Sequence, residues 1–184
     1  MKKTVFIALI GCFFIQTGFS QKYFTKEGKV EFHSHASMEK IEAVTNTATC
    51  VLDASTGKVE FAVLIKSFQF EKALMQEHFN ENYMESSKYP KAIFKGQIVE
   101  WSNIDLSKDG NYDLKAKGAL TIHGATKEIS APVKIMVKNG KPTASTNFNV
   151  ALADYNIEIP AVVADNIAKE VDIVVNIELQ ELKR

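Results

Sequence analysis

Apolar and polar residues alternate along most of this 184-residue chain, and this period of two limits what the chain can fold into. The pattern is clearest from Tyr112 to Ile122, where every second residue is apolar or small and Asp113, Lys115 and Lys117 fall between. Residues two apart lie on the same face of a β-strand, so such a segment buries one face and exposes the other. The sequence therefore predicts an all-β fold.

The alternation recurs often enough to predict about eight strands. The other seven segments are Val59 to Ile65, Ile129 to Val137, Val171 to Leu179, Val30 to Phe32, Ala92 to Ile98, Phe148 to Leu152, and the Thr- and Val-rich run from Val44 to Leu52. Short turn signals separate many of them, which favours antiparallel neighbours because parallel pairs need long crossovers. Eight antiparallel strands can close into a barrel that is filled by side chains or holds one small ligand.

Two segments break the alternation. Glu71 to Met84 contains no Gly or Pro and spaces its apolar residues roughly at helical intervals, so we predict one amphipathic helix there, lying across the barrel as a plug or a side support. It ends before the Tyr89-Pro90 break. Asp154 to Ala168 contains Pro160 and does not alternate, which predicts an irregular connection.

The first twenty residues have the form of a secretory signal peptide. Lys2 and Lys3 precede an apolar run from Val5 to Ile15 that is too short to span a bilayer comfortably, and cleavage is predicted after Ser20. One domain, residues 21–184, remains. It contains no second apolar segment of membrane length, so we predict a periplasmic or secreted protein without stable membrane insertion.

Lipidation at Cys12 is an alternative, because Leu9 to Cys12 has the form of a lipobox. The protein would then be an anchored lipoprotein. If Cys12 is instead removed with the signal peptide, Cys50 is the only cysteine left and no intramolecular disulfide can form. Cys50 lies in a strand-like run, which favours a small buried hydrophobic residue over a reactive thiol.

Charge and motifs argue against several classes of function. Lys plus Arg equal Asp plus Glu at 22 each, so no global positive field attracts nucleic acid. There is no G-x-S-x-G motif and no glycine-rich phosphate loop, and we predict neither catalytic residues nor a cofactor. His33 and His35 share one strand face with Glu31 and could hold a metal, but a solvated face is the favoured interpretation.

An apolar interior with little polar material suits an apolar ligand. A filled core has the same alternation and stays open as the alternative. Small residues at inward positions favour a cavity slightly, because they leave space beneath larger neighbours: Gly96, Ala116, Gly118, Ala131 and Ala144.

Two stretches resemble the YceI-like family, whose members are exported and have a lipocalin-like barrel that binds polyisoprenoids or other long-chain amphiphiles. The segment from Gly118 to Lys127, followed by Pro132-Val133, is similar to the family's G-x-L-T-I-H-G-x-T-K pattern. The segment from Ser67 through His78-Phe79 to Phe94 is similar to its serine, helix and Tyr-Pro pattern. The match covers nearly the whole chain after the signal peptide.

The resemblance implies an elongated apolar tunnel with a polar group near one end, an isoprenoid quinone or polyisoprenoid ligand, and a homodimer. The chain departs from the family where Phe68 and Phe70 replace smaller residues, and their bulk could narrow the tunnel. From parity and strand position we predict these lining residues: Phe61, Val63, Ile65, Phe94, Leu114, Leu120, Ile122, Phe148, Val150, Ile173 and Val175. Ser67, His78 and His123 are predicted to make a polar contact with the ligand or to fix the helix across the barrel.

Overall fold

The computed structural model describes residues 21–182, apart from the side chain of Asn103. The strands are β1 (Lys22–His35), β2 (Lys40–Asp53), β3 (Lys58–Leu64), β4 (Gln69–Phe70), β5 (Lys91–Ile98), β6 (Gly110–Ile122), β7 (Ala125–Lys138), β8 (Lys141–Ala151), β9 (Glu170–Glu178) and β10 (Gln180–Glu181). A short α-helix, α1 (Ala73–His78), continues into a π-helical turn (Phe79–Tyr83). The 3₁₀ turns are Ile65–Ser67, Trp101–Asn103, Leu152–Tyr155 and Ala161–Val163.

Eight strands close into an antiparallel barrel, which confirms the predicted fold class. The strands follow the order β1-β9-β8-β7-β6-β5-β3-β2, and β2 pairs with β1 to complete the ring. β4 and β10 are two-residue additions, paired with β2 and β1. The alternation dictates this closure because each strand has one apolar face to bury and a closed ring leaves no unpaired edge.

The irregular segments are also where the sequence predicts them. The helix lies inside Glu71 to Met84 but is shorter than predicted, because its last turn widens from α to π geometry at Phe79. Asp154 to Ala168 forms turns and no strand. The predicted signal peptide and the lipobox cysteine Cys12 lie outside the described residues. Within residues 21–182, no helix is long and apolar enough to cross a membrane.

The connections divide between two ends of the barrel. One end, which we call the closed end, carries the connections at residues 54–57, 99–109 and 139–140. The other end, which we call the open end, carries the connections at residues 36–39, 65–90, 123–124 and 152–169. The open end therefore has the two longest connections, and they include α1.

Trp101 packs at the closed end in a cluster with Tyr23, Leu106 and Leu179. Its side chain is 8% exposed, and its indole N–H donates a hydrogen bond to the carbonyl of Ala54 at 2.7 Å. Gly57, at φ +71°, lies so close that a Cβ there would be 2.5 Å from Trp101 Cγ. The fit between ring and turn excludes any side chain at this glycine.

The barrel wall changes between β7 and β8. Their pairing begins near the closed end at Lys138 and Lys141 and stops at Lys134 and Ser145. Beyond that point the turn Leu152–Tyr155 contacts both strands, and Tyr155 is buried. The wall is thus held by a backbone ladder in its closed half and by packed side chains in its open half.

Two of the small inward residues do not leave space as predicted. Gly96 on β5 and Gly118 on β6 are opposite each other. A Cβ at Gly118 would lie 2.3 Å from the carbonyl oxygen of Lys95 and 2.4 Å from Gly96 Cα. These glycines instead permit β5 and β6 to approach closely.

Candidate functional site

A cavity of about 470 Å³ runs along the interior of the barrel. Inward side chains of all eight barrel strands contribute to its wall, together with residues of α1 and the 152–169 connection. The volume falls within the range of about 300–1,000 Å³ that is typical of small-molecule sites. The barrel interior is therefore not completely filled by its own side chains.

Most of the apolar residues that the alternation singles out lie on the cavity wall. They are Phe61, Val63, Ile65, Phe94, Leu120, Ile122, Phe148, Val150, Ile173 and Val175. Leu114 is a correction: it packs against the Trp101 cluster and does not line the cavity. Parity placed Leu114 on the inner face, but its partly buried side chain packs against the apolar cluster of the closed half instead. That any of these residues contacts a ligand stays a prediction.

Of the three polar candidates, His78 alone lies on the cavity wall. Ser67 is occupied at the β3–β4 corner, where its hydroxyl donates to the carbonyl of Leu64 at 2.7 Å and lies 2.8 Å from Thr45 Oγ1. Thr45 is 2% exposed. Ser67 thus fixes the corner that precedes the helix and makes no contact with the cavity.

His123 also lies off the cavity wall, in the β6–β7 turn. Its Nε2 is 2.9 Å from Glu85 Oε2, and its Nδ1 is 3.2 Å from the carbonyl oxygen of Tyr155. Its ring packs edge-on against Tyr89 at 4.6 Å between centroids. His123 therefore joins the segment after the helix to the 152–169 connection, which is the fixing role rather than the ligand-contact role.

Four phenylalanines gather on the cavity wall near the open end: Phe32, Phe68, Phe70 and Phe79. Phe79 stacks on Phe32 with ring centroids 5.4 Å apart and lies 5.8 Å from Phe68 and 4.9 Å from Phe70. The bulky Phe68 and Phe70 thus do face the cavity. They provide an apolar surface where α1 covers the barrel.

The cavity reaches solvent at the open end. His78, which is exposed, and Glu39, whose side chain is 31% exposed, are both on its wall. Val163 and Asn166, from the 152–169 connection, also lie on the wall at this mouth of the cavity. Sequence reasoning singled out His78 but missed Glu39, Val163 and Asn166, because these three lie in connections where no period of two marks an inward side.

Burial controls the chemistry of the deeper wall. Cys50, 2% exposed, lines the cavity in its closed half, and burial raises the pKa of its thiol to about 12. The thiol is therefore protonated and unreactive at neutral pH, as the strand pattern predicts. Thr146 on β8 also lines the cavity, and its buried Oγ1 has no hydrogen-bond partner in the described chain.

The outer face offers little for metal chemistry. His33 and His35 stack at 6.0 Å between centroids, and His33 Nδ1 lies 3.5 Å from Glu42 Oε1. Across residues 21–182, no three His, Cys, Asp or Glu side chains are grouped so that they could hold a metal ion.

Comparisons with solved structures show the same fold. A polyisoprenoid-binding domain from Saccharophagus degradans, implicated in plant cell wall breakdown, superposes with a TM-score of 0.76 at 10% identity, over 89% of this chain and 100% of that one. BcnA of Burkholderia cenocepacia gives 0.68 at 17% identity, over 83% and 96%. The YceI protein of Campylobacter jejuni gives 0.58 at 22% identity, over 82% and 90%.

A search of curated protein sequences finds no significant match. The family model for the YceI-like domain, in contrast, matches residues 22–179, which is the whole barrel. That range includes the two stretches that carry the resemblance in sequence, and the structure gives both of them defined positions at the open end. The chain therefore belongs to the YceI-like family.

Proposed function

We propose that this protein is a non-enzymatic carrier that holds a long-chain apolar or amphiphilic lipid, of the polyisoprenoid or isoprenoid quinone type, inside the barrel. The observation that carries the proposal is the cavity, which is apolar in its depth and meets solvent beside His78 and Glu39. The similarity to a polyisoprenoid-binding domain supports it.

The energy of such binding comes from removing the lipid chain from water. Each buried methylene contributes about 0.8 kcal/mol, so a chain of many isoprene carbons needs no charged anchor. A polar head group at the cavity mouth remains hydrated or contacts His78, Glu39 or Asn166. The depth of the cavity then selects the length of the chain.

The first test is to identify what the purified protein contains. The full-length chain is expressed with its own N-terminus, the protein is purified from the exported fraction, and organic extracts are analysed by mass spectrometry. We expect stoichiometric isoprenoid lipid. The intact mass separates cleavage after Ser20 from lipidation at Cys12, and the native mass tests the homodimer.

A matched pair of variants assigns the lipid to the cavity. Ala131 on β7 is 5% exposed and lines the cavity, whereas its neighbour Ser130 is exposed on the outer face. Ala131→Phe fills the cavity and should abolish co-purified lipid, and Ser130→Phe should retain it. Ala144→Leu, also on the wall, is a milder filling variant if Ala131→Phe does not fold. A folded wild-type protein that neither contains nor takes up isoprenoid lipid would overturn the proposal and leave a structural or protein-interaction role.

A further inference from the structure

The residues around the cavity mouth suggest how a lipid enters. Among the large hydrophobic residues that the structure describes, the three most exposed are Val162 at 89%, Met38 at 74% and Leu74 at 60%. The other exposed ones lie between 43% and 48% on strands or at the chain end. All three belong to the open end: Met38 to the β1–β2 turn, Leu74 to α1 and Val162 to the 152–169 connection.

Each of these three residues is next in sequence to a residue of the cavity wall. Met38 precedes Glu39, Leu74 precedes Met75 and Val162 precedes Val163. One side chain of each pair lines the mouth while its neighbour projects outward into solvent. Met38, Leu74 and Val162, which we call the rim residues, therefore surround the same opening.

Direct contacts hold the three segments together. The Met38 N–H donates to the carbonyl of Asp165 at 3.1 Å, and the Ser37 hydroxyl donates to the same oxygen at 3.2 Å. Lys72, at the start of α1, forms an ion pair with Glu39 at 3.4 Å. The rim residues are thus parts of one connected surface.

We propose that the open end docks transiently on a lipid bilayer, with the rim residues inserted among the lipids and the cavity mouth facing the membrane. The proposal rests on the lipid-carrier function above. It gives the bound lipid an apolar route between membrane and cavity, because the exposed side chains continue the apolar wall outward to the bilayer.

The size of the surface favours lipid over a protein partner. A stable protein interface buries about 800 Å² and 20–30 residues on each side. Three separated side-chain tips fall far below that, whereas a bilayer surrounds isolated apolar side chains whatever their spacing.

The charges around the mouth favour a neutral lipid surface. The charged residues there are mixed, five acidic and three basic, and leave a small net negative charge: Glu39, Lys40, Glu71, Lys72, Glu77, Asp165, Lys169 and Glu170. With no excess of positive charge, attraction to anionic lipids contributes little. We therefore expect docking on zwitterionic vesicles that changes little with salt.

The test is co-flotation with phosphatidylcholine vesicles. The full-length chain carries Cys12→Ser in every sample, so that no acyl chain at that position contributes. The rim variant Met38→Ser, Leu74→Ser, Val162→Ser should bind on the order of a thousandfold less, since each of the three inserted side chains contributes roughly tenfold. The control Val51→Ser, Met136→Ser, Leu182→Ser changes three less exposed hydrophobic residues, 43–47% exposed and away from the open end, and should stay within about twofold of the parent.

A second measurement separates docking from cavity binding. Uptake of a dispersed short-chain ubiquinone, without vesicles, should be equal in the parent and the rim variant, while transfer of ubiquinone from vesicles should slow with the rim variant alone. Flotation that is absent in the parent, or equally reduced by the control variant, would overturn membrane docking. Flotation that depends on the rim residues in a protein without ubiquinone uptake would support docking and overturn the carrier function.

Discussion

The two ends of the barrel use aromatic residues in opposite ways. At the closed end, Trp101 is buried, hydrogen-bonded to Ala54 and fitted against Gly57. At the open end, Phe79 and its neighbouring phenylalanines face a cavity that meets solvent. The closed end is thus sealed by a packed aromatic cluster, whereas at the open end the aromatic side chains border a cavity that is accessible from solvent. The residues that stabilise the barrel and the residues that leave its cavity accessible therefore lie at opposite ends of the barrel axis.

The largest expected effect comes from removing one aromatic residue at each end. Trp101→Ala should lower the free energy of unfolding by about 3–5 kcal/mol, because it leaves a cavity in a packed cluster. Phe79→Ala should lower it by no more than about 2 kcal/mol, because its ring already borders empty space, and it should speed lipid release. Trp101 is the only tryptophan, so Trp101→Ala has no tryptophan fluorescence to follow. Unfolding of both variants in urea is therefore monitored by circular dichroism. Equal losses at the two ends would contradict the comparison.

The second prediction uses pH to probe the closed half. Burial raises the pKa of Cys50 from 9.0 to about 12, so the folded protein keeps a proton that the unfolded chain releases. Stability should therefore fall as pH rises above about 9, by up to about 1.4 kcal/mol per pH unit. Cys50→Ala should remove this part of the slope.

Thiol labelling gives the matching control at the open end. In the Cys50→Ala background, Met75→Cys at the mouth should react with iodoacetamide at an ordinary rate, whereas Cys50 in the parent should react only on unfolding. Rapid labelling of Cys50 in the folded protein would show that water reaches the closed half.

The alternation in sequence predicts strands and their inner faces well. Leu120 and Ile122 line the cavity because inward parity is a local property of each strand. Leu114 has the same parity and still does not line the cavity; its side chain packs against the apolar cluster that contains Trp101, and local sequence does not reveal this packing. The period of two identifies which face of a strand points inward, whereas tertiary packing determines which residues of that face border the cavity.

The polar candidates show a second limit. His123 and Ser67 are recognisable as special residues within sequence patterns, yet their partners Glu85 and Thr45 are separated from them along the chain. Nothing in the local sequence indicates that these partners, rather than a ligand, satisfy their polar atoms. The residues at the cavity mouth are harder still to predict from the sequence. They lie in turns and in the six-residue helix α1, where no repeating pattern marks the side that faces the cavity.

The smallest expected effect is at Thr146, where the paired half of the β7–β8 wall gives way to the side-chain-packed half. Its buried hydroxyl has no hydrogen-bond partner within residues 21–182. A buried polar group without a partner costs about 1–3 kcal/mol, part of which is regained when the hydroxyl is replaced by a methyl group. Thr146→Val should therefore raise the free energy of unfolding by about 1 kcal/mol or leave it unchanged. A clear loss of stability in urea would show that this hydroxyl is hydrogen-bonded in solution.

The pairing that closes the ring has a consequence for the timing of folding. β1 meets β9 through pairs such as Lys29 with Asn176, about 150 residues apart in the chain. At synthesis rates of about 5–20 residues per second, β9 is synthesised roughly 7–30 s after β1, and only then can the ring close. During that interval the edge of β1 that later pairs with β9 is unpaired, and the apolar face of the strand is accessible to chaperones. This delay is compatible with the predicted export. A chain that cannot complete its barrel until β9 is synthesised remains unfolded for longer, and an unfolded chain can pass through a translocation channel.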